Sequence, residues 1–345
     1  MKSAVAQLDE ALNPPDVAKV AAAVNALLTA LPLTDRDDAS AAVPRLTGFL
    51  PYVPMVHEGL LSVIIGACVE LGADPAACAP DILDRARDNL RKAADFPAAW
   101  SAAGGGALPV PASVDIPAEV IDRVGGADAG EDVLLSLIAW WQVQQWELAT
   151  VAMLSHRPVR DELTARAQFR AEAERVALVW HSGLVSLRHI VRMVDDEPIL
   201  VLHRPTGSAY RMRMSGLGCN RQLSTLLADI LVGGGHLPGT APDPAAVSLA
   251  RNGPYGPGTA PPTVSAYAEF ALTNADGTAV LLDGCPDDIE FVGGTRLVVL
   301  DPPRERYAWN AGRLFARVAG ELTLEGVLPE DQARAWFAEI APPSR

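Results

Sequence analysis

The sequence predicts an α+β protein in two parts: an all-helical amino-terminal domain over residues 1–192, folded as an irregular helical bundle, and a carboxy-terminal α+β domain over 193–345 with a mainly antiparallel sheet. Three observations lead there. Apolar residues recur at helical spacing through the first part, and the pattern changes at Asp195-Asp196-Glu197-Pro198 to alternating segments bounded by turn residues. The chain has 345 residues, more than the roughly 250–300 at which single cores stop growing. Apolar residues make up 49% and charged residues 20%, the balance of a globular chain and not of a disordered one.

The helical part is read in order. Asp16–Leu31 carries Val17, Val20, Val24 and Leu27/Leu28, the stripe of an amphipathic helix. Met55–Leu71 is apolar nearly all round, which predicts a central helix. Asp81–Asp95 sets Ile82, Ala86, Leu90 and Ala93 on one face and charges on the other. Gly104–Pro111 is rich in turn residues and breaks the pattern. Two long helices are predicted near Glu131–Ser155 and Val159–Val194, with Pro158 suited to the first turn of the second. No fixed period links them, so a solenoid is not indicated.

In the second part, Ile199–His203 and Tyr210–Met214 read as a hairpin around Pro205-Thr206-Gly207-Ser208. That loop pairs His203 with Tyr210 and Leu202 with Arg211. It places Ile199, Val201, Met212 and Met214 on one face with His203 and Tyr210 at its turn end, and Arg211 and Arg213 on the other face. A helix is predicted over Arg221–Val232 from the spacing of Leu223, Leu226, Leu227, Ile230 and Leu231, with Asn220 as its N-cap and Gly233-Gly234-Gly235 as its stop. Pro238–Pro262, dense in Pro and Gly, reads as a long surface loop. Strands are predicted at Tyr267–Leu272, Thr278–Leu282, Arg296–Leu300 and Glu321–Leu324. Pro329–Ile340 closes the chain as a helix burying Ala333, Trp336, Phe337 and Ile340.

Composition excludes several functions. The net charge of −14 argues against nucleic acid as a partner, since such binders need basic surface. No stretch reaches the roughly 18 uncharged apolar residues of a membrane span, and the amino terminus lacks the apolar core of a signal peptide. A cytoplasmic protein without a membrane partner is expected. The lysines are Lys2, Lys19 and Lys92, and the other 25 basic residues are arginine. Nothing after residue 92 can therefore serve as a Schiff-base or phosphate-binding lysine. Cys68, Cys78, Cys219 and Cys285 form no C-x-x-C pair, so they read as small buried apolar residues, with Cys219 the best placed to react.

Two regions carry candidate chemistry. Ser215-Gly216-Leu217-Gly218-Cys219-Asn220 joins a strand to a helix N-terminus, where free amides can hold an anion. Arg211, Arg213, Gly216, Gly218, Asn220 and Arg221 are therefore the candidate ligand-binding residues. Arg221 replaces the last glycine of a dinucleotide fingerprint and the strand is in an antiparallel hairpin, which excludes a Rossmann unit. His156, His181, His189, His203 and His236 cluster in the sequence. His181 and His189 lie eight apart on one predicted helix, about 12 Å of rise, too far to share an ion, so no metal site is expected. Gln142 and Gln145, beside Trp140, Trp141 and Trp146, put amides among indole rings.

No motif specifies a reaction. One function class is a binding or regulatory protein engaging a protein or peptide through its helical domain and its arginine-bearing hairpin, without a cofactor. The other is an enzyme acting on an anionic small molecule or peptide at the domain junction. It would use the arginines to orient substrate and His203, Tyr210 or His236 to move a proton.

Overall fold

A computed structural model describes residues 1–111, 115–253, 263–303, 305 and 307–343. The chain divides into two compact units, Met1–Val191 and Arg192–Arg345. The class is α+β: a helical first unit and a second unit built on a mixed, mostly antiparallel sheet.

The first unit contains α1 (Lys2–Ala11), α2 (Val17–Ala30), α3 (Arg36–Phe49), α4 (Met55–Glu70), α5 (Ala79–Ala93) and α6 (Phe96–Ala102). It continues with α7 (Ala118–Arg123), α8 (Glu131–Trp141), α9 (Val143–Leu154), α10 (Arg157–Asp161), α11 (Arg166–Val179) and α12 (Val185–Ile190). Asp16 caps α2 by accepting from the amides of Ala18 and Lys19, and the expected stripe is buried at Val20, Val24 and Leu27. Val17, in the first turn, is exposed. The apolar α4 packs on α2, α3 and α9. Gly66 makes this possible, because a Cβ there would sit 3.3 Å from both the Ala149 Cα and the Ala152 Cβ.

Both long helices expected from the sequence are divided. The first breaks at Gln142, whose buried side chain reaches across to α4: Oε1 accepts from the Gly59 amide at 3.2 Å and Nε2 donates to the Met55 carbonyl at 2.5 Å. Gln145 is only partly buried. Trp140 and Trp141 donate their indole N–H groups to the carbonyls of Pro109 and Asp115. The second long helix becomes α10, α11 and α12. Gly183 and Leu184, the latter at φ 57°, form the break before α12. His181 therefore follows α11 while His189 lies in α12, and they share no helix.

The second unit contains β1 (Glu197–His203), β2 (Ser208–Ser215), α13 (Asn220–Ala228), α14 (Pro244–Arg251), β3 (Ser265–Tyr267) and β4 (Ala271–Thr273). After these come β5 (Phe291–Val292), β6 (Thr295–Asp301), β7 (Ala308–Asn310), β8 (Glu321–Val327) and α15 (Glu330–Phe337). The main sheet runs β4-β6-β1-β2-β8, with β5 paired to β6; β1 and β6 are parallel and the other pairs antiparallel. β3 and β7 form a separate ribbon.

The β1–β2 hairpin forms, but its register differs from the expected one by two residues. His203 faces Ser208, Val201 faces Tyr210 and Leu200 faces Arg211. The loop is Arg204–Gly207, closed where Gly207 adopts φ +69°. A slip of two preserves every side chain's face, because the strand period is two. One face buries Ile199, Val201, Tyr210, Met212 and Met214 under Leu223, Leu226, Leu227 and Leu231. Each such leucine removed from water contributes about 2 kcal/mol. The other face packs Leu200, Leu202, Ala209, Leu297 and Val299 against Ala333, with Trp336, Phe337 and Ile340 partly buried beside them.

Further differences concern ends and loops. Asn220 is the first residue of α13 and not its N-cap, which is Cys219. After α13 the chain widens into a π-turn over Asp229–Gly233 before the glycine stop. Part of the expected Pro238–Pro262 loop is helical, since Asp243 caps α14 through the Ala245 amide and Pro244 occupies its first turn. Residues 254–262 of that segment lie outside the described residues. The segment after β4 turns at Asn274–Gly277 but keeps only one bridge, Thr273 to Ala279, in place of the expected strand.

Candidate functional site

The sheet separates the two sets of candidates. His203 and Tyr210 lie on the α13 face, whereas Arg211 and Arg213 lie on the α15 face. A single small substrate cannot touch both sets without passing through the sheet.

On the α13 face the proton-transfer candidates are engaged structurally. His203 is 6% exposed; its Nδ1 is bonded to the Thr206 hydroxyl at 2.8 Å, and its ring meets Phe270 edge-on. Burial pushes its imidazole below the ordinary value, and Asp301 opposes the shift more weakly. The Tyr210 hydroxyl donates to the His236 carbonyl at 3.2 Å, and burial pushes its acidity in the direction of a stronger hold on the proton. The His236 ring is exposed and stands edge-on to Tyr210. It is the backbone of His236, not its imidazole, that meets the Tyr210 hydroxyl.

The turn before α13 is built around close approach. Gly216 adopts φ +64° and a Cβ there would lie 2.2 Å from the Ala319 carbonyl oxygen. Its amide donates to Val194, and the Gly218 amide donates to the Gln222 side chain at 2.9 Å. At the helix start, the amides of Asn220 and Arg221 donate to the carbonyls of Gly284 and Leu282. The Asn220 side chain, fully buried, donates to Leu281 and Cys285. The amides that the sequence marks for an anion thus hold the segment 281–285. Burial pushes the Cys219 thiol up and the Cys285 thiol up to about 12, so neither is a ready thiolate at neutral pH.

The three arginines differ in their partners. Arg221 pairs with Asp283 at 2.6 Å and meets the Tyr307 hydroxyl at 3.2 Å. Arg213 pairs with Glu325 at 2.6 Å and donates to the Asp196 carbonyl. Arg211 is exposed, and its guanidinium has neither hydrogen bond nor ion pair among the described residues. It opens onto a cleft of about 350 Å³ whose walls include Leu200, Leu328, Gln332 and Trp336, with Glu325 at its rim. Beside it, β8 ends the sheet, and no other described strand pairs with its outer edge.

Sequence reasoning missed this cleft because Trp336 reads as core in the helical pattern. In the structure it is a half-buried wall, and only its distance from Arg211 in space makes the two neighbours. It also missed the buried charge network in which Arg296 bonds Glu197, Asp287 and the carbonyls of Asp287 and Ile289. That arginine lies on the α13 face of β6 and is fully used by the fold. Arg304 and Arg306, at the exit of β6, lie outside the described residues.

Among the described residues no group of three or more His, Cys, Asp or Glu side chains is placed to hold a metal ion. Nor is any helix among them long and apolar enough to cross a membrane. No family model matches the chain, and no match is found among curated proteins or solved structures.

Proposed function

We propose that this is a non-catalytic binding protein of regulatory or accessory type, and that its second unit takes a peptide segment bearing a carboxylate. The observation that carries the reading is Arg211: a guanidinium without a partner among the described residues, on a strand and over an apolar cleft. A guanidinium matches a carboxylate in a bidentate pair, and an apolar floor rewards the side chain next to it. The outer edge of β8, which no described strand covers, offers backbone groups to an extended partner strand, the mode by which peptides add to sheets. The bulge opposite Arg211 and Met212 and the exposed Glu321 and Glu325 limit indiscriminate pairing along that edge. The acidic balance, a net charge of −14, supports a partner other than nucleic acid.

The test is selection of displayed random octapeptides on the full chain, followed by affinity measurement of the winners. Selected peptides are expected to share an acidic residue next to an apolar one. Arg211→Ala is expected to weaken them about tenfold or more, as loss of one charge-assisted pair implies, with circular dichroism unchanged. Selection that yields no binder, or binders indifferent to Arg211→Ala, overturns the reading.

A further inference from the structure

We propose that the helical unit carries a separate binding site, a cleft for a small organic cation with an apolar body. The cleft has a volume of about 410 Å³ and lies between the turn Pro75–Ala77 with the start of α5 on one side and α10 with the residues after it on the other. That volume is within the range of small-molecule sites, about 300–1,000 Å³.

Its floor is apolar: Ala79, Leu83 and Val159 are 3%, 8% and 7% exposed. Pro75, Pro80 and Pro158 stand in the walls. Proline fixes its own φ and has no N–H, so these walls are stiff and give no amide to an anion.

The carboxylates that line the cleft outnumber any cation beside it. Asp74, Asp84 and Glu162 line it with His156, and among the described residues no lysine or arginine does. Asp74 is held in place by the Ala76 amide at 3.0 Å. Asp84 pairs with Arg87 at 3.1 Å one turn along α5, a solvent-exposed contact of the kind that contributes little in water. Glu162 is exposed, and its carboxylate has no hydrogen bond or ion pair among the described residues. An ammonium group seated here is attracted by the carboxylates that line the cleft, while its hydrocarbon displaces water from Leu83 and Val159. A carboxylate of the same shape meets repulsion, and an uncharged alcohol gains only the apolar part.

The test is calorimetric titration of the full chain with n-octylammonium, n-octanol and octanoate. Saturable one-to-one binding of n-octylammonium is expected, with n-octanol at least fivefold weaker and octanoate not binding. The doubly substituted chain, Asp84→Asn with Glu162→Gln, alters exposed side chains and is expected to bind n-octylammonium no better than the parent binds n-octanol. Absence of saturable binding, equal affinity for the amine and the alcohol, or full affinity in the doubly substituted chain overturns the proposal.

Discussion

Residue identity matters most at His203, where local pattern and tertiary setting point to different roles. The hairpin alternation was enough to place His203 on the buried face, and a histidine beside a tyrosine reads naturally as an acid–base pair. What the alternation could not supply was the register, set by the positive φ of Gly207, which moves Tyr210 from opposite His203 to opposite Val201. The ring instead bonds Thr206 within its own turn. Because burial lowers its pKa in the folded state, protonation favours the unfolded chain. The stability it contributes is therefore present above the unfolded value of about 6.5 and is lost as pH falls through the lower folded value. His203→Asn is expected to melt below the parent at pH 7.5, with the gap in Tm narrowing towards pH 5.5. Scanning calorimetry across that range checks this, and a gap independent of pH would show that the imidazole does not charge on unfolding.

At the scale of elements, the sequence was legible wherever the apolar period is strong, as in α2, α5, α13 and the two faces of the β1–β2 hairpin. It was not legible where one side chain serves a distant element. Residues 131–155 carry an unbroken apolar pattern, yet the helix divides at Gln142 because that amide bonds the first turn of α4. Gly59 is the matching half: a Cβ there would lie 3.0 Å from the Gln142 Oε1. Gln142→Ala is expected to cost about 2 kcal/mol, from two hydrogen bonds of the buried side chain at about 1 kcal/mol each. Gly59→Ala should cost stability in the parent by crowding that amide, and much less when Gln142 is already alanine. A double-mutant cycle by urea unfolding measures the coupling; additive costs would mean that the amide does not join the two elements.

For the whole molecule, the α+β class follows from the switch in period near residue 195, but the site does not, because Arg211, Leu328 and Trp336 meet only through the sheet order. That order places β8 beside β2 and carries α15 back over β1, β2 and β6, a return no local pattern encodes. All eight described strands and both apolar faces of the main sheet lie within Arg192–Arg345. A unit of this size, within the usual range of roughly 50–250 residues, that closes its own sheet between α13 and α15 holds the contacts needed to fold. The fragment Arg192–Arg345 expressed alone is therefore expected to give a dispersed amide NMR spectrum and one cooperative thermal transition. It should also bind the selected octapeptides as the full chain does, since Arg211 and its cleft are contained in it. A collapsed spectrum would mean that the sheet depends on the helical unit for stability. A folded fragment that no longer binds would move the peptide site away from Arg211.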